Sequence, residues 1–122
     1  MLLDSNILIY ATRIEHENLR AFILQNVPAV SIISTIEVLG YHRLRDNERD
    51  LLREFLRSAE IIPLSNEIAN EAVRLRQQRK LSLGDSIIAA TAIVHGRALI
   101  TCNTSDFEWM EGINILDPFT TR

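Results

Sequence analysis

The sequence predicts an α/β domain with a mostly parallel central sheet and helices on both of its faces. Three observations carry that expectation. Short apolar runs of strand length alternate along the chain with longer stretches of helical period. The β-branched run at 29–33, bounded by Pro28 and Ser34, has the character of a buried strand. The stretch 82–96 reads as a helix that is apolar over most of its circumference, and such a helix belongs inside a domain.

Taken in order, residues 1–3 form a very short first strand that ends abruptly in Asp4-Ser5-Asn6. Residues 7–11 are apolar again, as a short helix or turn. Leu19, Phe22 and Ile23 recur at helical spacing within 17–25, and the chain breaks at 26–28. After the strand at 29–33, Ser34 and Glu37 stand three apart in a capping-box pattern, which opens a helix reaching about Leu44. A further helix spans 46–59 through Leu51, Leu52, Phe55 and Leu56. Almost no linker separates these two helices, so a hairpin with a groove between them is expected, with Arg49 and Arg53 at its rim as a seat for a partner segment. Residues 60–64 form a short strand whose Pro63 suits a sheet edge. Residues 66–80 are helical through Ile68, Ala72, Val73 and Leu75. In the stretch 82–96, Ser82 and Asp85 repeat the capping box, and Gly96 suits the left-handed stop. A strand at 98–101, a polar loop at 103–106 and a last strand at 114–116 follow. With no repeat, linker or low-complexity tract, residues 1–122 read as one domain.

Composition excludes several function classes. The lone Cys102 rules out an internal disulfide and a multi-cysteine zinc site. There is no leader pattern at Met1, and no apolar run approaches the ~18 residues that cross a bilayer, so a cytoplasmic protein without a membrane partner is expected. A net charge of −3 gives no global sign of nucleic-acid binding, which would need a local basic surface. Arg49, Arg53 and Arg57 are interleaved with acids and read as a solvated face. Arg74, Arg76, Arg79 and Lys80 crowd a helix C-terminus, where the dipole favours them. His16, His42 and His95 are scattered and are not read as ligands.

The acids fall where chemistry is done. In an open parallel sheet, sites form at the carboxyl ends of strands. Asp4 follows the first strand, Glu37 lies in the first turn of the helix after the second, and Asp106 lies just beyond the strand at 98–101. Asp85 joins them if the central helix begins at that edge. Ser5, Asn6, Thr101 and Asn103 supply polar neighbours. Each acid alone also reads as a cap or turn former. Gathered together they are either partly protonated or neutralised by a cation, because two carboxylates 4 Å apart repel by roughly 4 kcal/mol at an effective dielectric of ~20. Oxygen ligands without clustered histidine or cysteine point to Mg²⁺ or Mn²⁺, and hence to a metal-dependent nuclease.

Four ordered segments, Leu2-Leu3-Asp4-Ser5-Asn6, Ser34 to Gly40, Asp85 to Ala92 and Thr101 to Phe107, resemble the motifs of PIN-domain ribonucleases, above all the VapC toxins of prokaryotic toxin–antitoxin pairs. The resemblance covers the chain from Leu2 to about Asp117. It implies a three-layer α/β/α sandwich, Mg²⁺- or Mn²⁺-dependent endoribonuclease activity on RNA, inhibition by a VapB-like antitoxin, and a homodimer. Asp4, Glu37 and Asp85 match the three metal-binding acids, with Ser5 and Asn6 beside the first. The fourth position falls on Asn103 or Asp106, and Asp106 is favoured as an outer, water-mediated contributor. Two other readings compete. One is a catalytically idle PIN-like module that only binds protein or RNA. The other is phosphoryl transfer through an aspartyl intermediate, which wants a second acid where Asn6 stands.

Overall fold

A computed structural model describes residues 1–120, so that Thr121 and Arg122 of the predicted domain lie outside it. The elements in chain order are β1 (Leu2–Leu3), α1 (Ser5–Ala11), α2 (Glu17–Gln25), β2 (Ala29–Ser31), α3 (Ile32–Leu39), α4 (Asp46–Ser58), β3 (Glu60–Ile62), α5 (Asn66–Gln78), α6 (Leu83–His95), β4 (Leu99–Ile100) and β5 (Ile115–Leu116). Short 3₁₀ turns stand at Ile14–His16 and Thr104–Asp106. The strands form one parallel sheet in the order β3-β2-β1-β4-β5, with the two-residue β1 at its centre.

The alternation of side chains along each strand divides the core into two layers. Leu2, Ala29, Ile62 and Leu99 point to the face covered by α5 and α6. Leu3, Val30 and Ile100 point to the face covered by α1 to α4, where Ile7, Leu8, Leu19, Ile23, Val38 and Leu52 meet them. This is the three-layer α/β/α sandwich. Helix α6 is buried continuously from Ser86 to Ala92, as an all-round apolar helix demands. Its ends are those expected from the sequence. Ser82 Oγ accepts the Asp85 N–H at 3.1 Å, and Gly96 closes the helix at φ 62°, a conformation that a side chain disfavours. Among the described residues, no helix is long and apolar enough to cross a membrane.

Two expectations are corrected. The helix after β2 is capped by Ser31, whose Oγ accepts the Ile33 N–H at 3.2 Å, and not by Ser34. The β-branched pair Ile32-Ile33 therefore opens the helix instead of ending the strand, and Glu37 lies in its second turn. The helix stops at Leu39 with Gly40 as its cap, so residues 40–45 are a connection to α4. Consequently the apolar groove is not between α3 and α4. A groove of about 390 Å³ lies between α1, α2 and α4, lined by Leu8, Ala11, Ile23, Leu24, Leu51 and Phe55, with Arg20 and Arg57 also at its walls.

Candidate active site

The sheet order reverses on either side of β1, which makes the crevice beyond the carboxyl ends of β1 and β4 the switch point where α/β folds place ligands. Asp4 enters it from β1. Its Oδ1 accepts the Ser5 N–H at 2.7 Å, so it caps α1, and its Oδ2 accepts the Thr101 hydroxyl at 2.8 Å. Thr101 Oγ1 in turn accepts the Asn103 N–H at 3.0 Å. Asp4 is only 4% exposed, and a carboxylate so deep persists because both oxygens are held. Burial pushes its carboxyl above the ordinary value. The Thr101 hydroxyl works against that shift, and the charge of Asp85 and then that of Glu37 add to it.

Glu37 reaches the same crevice from α3. The Ser5 hydroxyl donates its one proton to Glu37 Oε1 at 2.6 Å, which leaves the buried Ser34 as the donor across the 3.0 Å between the two serine oxygens. The other side of the carboxylate lies against α6. A Cβ on Gly84 would stand 2.3 Å from Glu37 Oε2, so only glycine admits the carboxylate to the first turn of that helix. There the exposed amides and the positive end of the dipole favour an anion.

Asp85 sits half-buried in the same turn. Burial raises its pKa, the Ser82 hydroxyl opposes the shift, and Asp106 and then Glu37 add charge repulsion. Asp106 closes the Thr104–Asp106 turn and is exposed, with its carbonyl accepting the Trp109 indole N–H at 2.8 Å. Cys102 lies half-buried between β4 and this turn, its thiol pushed up by burial, with Asp117 adding to the shift.

The four predicted acids thus share one field: Asp4 feels Asp85 and Glu37, and Asp85 feels Asp106 and Glu37. Among the described residues, no three of them stand close enough as they lie to clasp one ion. The two observations describe different ranges, charge coupling through the crevice and ligand contact within it. The donor set suits a hard divalent cation. It is all oxygen, and its members repel one another. Ser5 donates to Glu37 and Thr101 to Asp4. Asn6 is exposed on α1, and Asn103 meets the site through its backbone. The sequence gives no role at the site to Gly84, and it casts Ser34 only as a helix cap. The Ser-Leu-Gly-Asp order put glycine beside an acid at a helix start, but only the fold shows what passes over it.

A family model described as the PIN domain matches residues 1–111. A ribonuclease named VapC10 from Mycobacterium tuberculosis is 34% identical over 88 residues, which is 68% of this chain and 65% of that protein. The chain therefore spans just under two thirds of the length of that curated relative. A solved toxin–antitoxin complex from Klebsiella pneumoniae contains a chain that is 35% identical, with 96% of each chain covered and a TM-score of 0.74. A DNA-bound VapBC structure from Salmonella typhimurium matches at 25% identity and a TM-score of 0.80, covering 95% of this chain and 96% of its counterpart.

Proposed function

The chain belongs to the PIN-domain family, and from that premise we propose that it is a divalent-metal-dependent endoribonuclease, the toxin of a toxin–antitoxin pair. Divalent-metal dependence is general among PIN-domain VapC nucleases, and the all-oxygen donor set here favours Mg²⁺ or Mn²⁺. Asp4, Glu37 and Asp85 would hold the ion, with Asp106 contributing through water. A bound divalent ion supplies an activated water and stabilises the charge that develops on the phosphate. The rest falls to the chain. Thr101 and the Ser5 amide hold Asp4 in a single orientation. Ser5, backed by Ser34, fixes Glu37 over Gly84. The start of α6 faces the charge that a phosphodiester brings.

One observation carries this reading: four acids from four separate segments face one crevice, and two of them are driven toward their protonated forms, first by burial and then by the charge of their neighbours. A purely structural site would not concentrate uncompensated like charge. The test is cleavage of single-stranded RNA with Mg²⁺ or Mn²⁺, expected to stop in excess EDTA. Full cleavage after thorough chelation would sink the mechanism.

The solved relatives are toxin–antitoxin complexes, which supports a VapB-like partner for this chain. The apolar groove between α1, α2 and α4, with Leu24 and Leu51 exposed along it, fits an amphipathic segment of such a partner. A homodimer belongs to the same proposal, supported by the exposed Ile36, Leu64 and Leu83. Sedimentation of the isolated chain tests it, with a monomer as the contrary result.

A further inference from the structure

A second, polar cleft of about 530 Å³ opens where α1 and α3 end, lined by Arg13, Arg43, Arg45 and Tyr41. Helices α1 and α3, which carry residues of the carboxylate site, both run toward it. Asn6, Ile9 and Arg13 follow at helical spacing along α1 and the turn after it, while Glu37 and Tyr41 are four apart along α3 and its cap. Thr12 at the cleft lies seven positions along α1 from Ser5, a rise of about 10 Å.

The arginines there differ from four others in the chain. Arg49, Arg57, Arg74 and Arg97 each pair with a carboxylate. Among the described residues, no carboxylate pairs with Arg13, Arg43 or Arg45. The two acids at the cleft do not cancel them. Glu48 is half-buried and accepts the Arg45 N–H at 3.0 Å, and Glu15 is exposed on the 3₁₀ turn. Three cations against two acids make a local positive excess on a chain whose net charge is −3. Beside them Tyr41 and His42 are exposed, with ring centroids 5.6 Å apart and planes at 69°, so that each leaves a face open.

We propose that this cleft binds the single-stranded RNA flanking the cleaved bond, with Arg43 and Arg45 on its phosphates and Tyr41 and His42 stacking an unpaired base. Phosphate contacts set register without reading sequence, and base–aromatic stacking tolerates any base. The inference rests on the endoribonuclease reading and extends it to the path of the strand.

Binding of a labelled single-stranded RNA decamer, followed by anisotropy in EDTA over a range of salt, tests the cleft apart from cleavage. Arg43→Ala with Arg45→Ala should weaken binding roughly tenfold and flatten the salt slope by about 1.4, the loss of two phosphate contacts. Tyr41→Ala should weaken it by roughly five- to a hundredfold with the slope unchanged. Arg43→Lys with Arg45→Lys should restore most of the affinity. Equal affinity of wild type and the double alanine variant overturns the proposal, as does a wild type that does not bind the decamer. If the double alanine variant binds RNA normally but loses an Asp/Glu-rich peptide, the cleft belongs to a protein tail. Wild type that binds through these arginines yet cleaves nothing in Mg²⁺ would instead remove the nuclease reading and leave the cleft standing.

Discussion

The two ends of the carboxylate site are built on opposite principles. At the Asp4 end every polar atom is spoken for. One carboxylate caps a helix, takes the Thr101 hydroxyl from just beyond β4 and is almost wholly buried. At the Asp85 end the carboxylate is half-open, capped by Ser82 and faced by the exposed charge of Asp106. The same residue type therefore joins two functions in one place and separates them in the other. Asp4 holds the fold and the charge together, whereas Asp85 contributes mainly charge.

Substitution should expose that asymmetry most strongly. Asp4→Ala should abolish RNA cleavage and also cost about 2–4 kcal/mol of stability, through the lost cap and the orphaned Thr101 hydroxyl. Asp85→Asn should lower cleavage about 10³-fold or more while leaving the urea midpoint unchanged or raised. If both variants lose stability equally, the contrast fails. Gly84→Ala comes next. The flexible end of Glu37 moves aside, so the fold should survive within about 1 kcal/mol while cleavage falls roughly 10–100-fold. A matching loss in Ser5→Ala would show that orientation of Glu37 is what both changes remove.

The pH dependence of stability is a gentler probe. Asp4 and Asp85 have raised pKa values, so the native state holds their protons more tightly than the unfolded chain. Stability from these groups is fully present below the unfolded carboxylate values near ~4 and is lost as pH rises through the raised native values. In EDTA the melting temperature should therefore fall as pH climbs from about 4 toward neutrality. Asp85→Asn should flatten that fall, and Mg²⁺ should restore stability chiefly at the neutral end. A wild-type profile that rises across this window contradicts the raised values. Smallest is the effect at the fourth position. Asp106→Asn should weaken metal binding within the 10–100-fold range typical of groups around a site, less than Asp85→Asn does. A crippled Asn103→Ala beside a normal Asp106→Asn would transfer the role to Asn103.

Much of this was legible in the sequence because the signals are local. The Ser82 cap, the Gly96 stop, the edge strand before Pro63 and the acids at strand exits need only neighbouring residues to be read. Glu37 was placed in the wrong turn because Ser31 and Ser34 compete as caps for one helix. The winner is decided by Ser34 being drawn inward to Ser5, a contact 29 residues away. The groove was misplaced for a similar reason. Its walls come from α1, α2 and α4, which only the sheet brings together. The glycine under Glu37 has no local signature at all.

The hydrogen bond from Thr101 to Asp4 spans 97 positions of the chain. Closing so long a loop is entropically slow, and contacts of that separation form late in folding. A ribosome delivers Asp4 97 residues before Thr101, while segments already emerged begin to fold. The growing chain thus carries its first strand without the partner that completes the crevice. Competence arrives only with β4, and an incomplete or stalled product of translation lacks it.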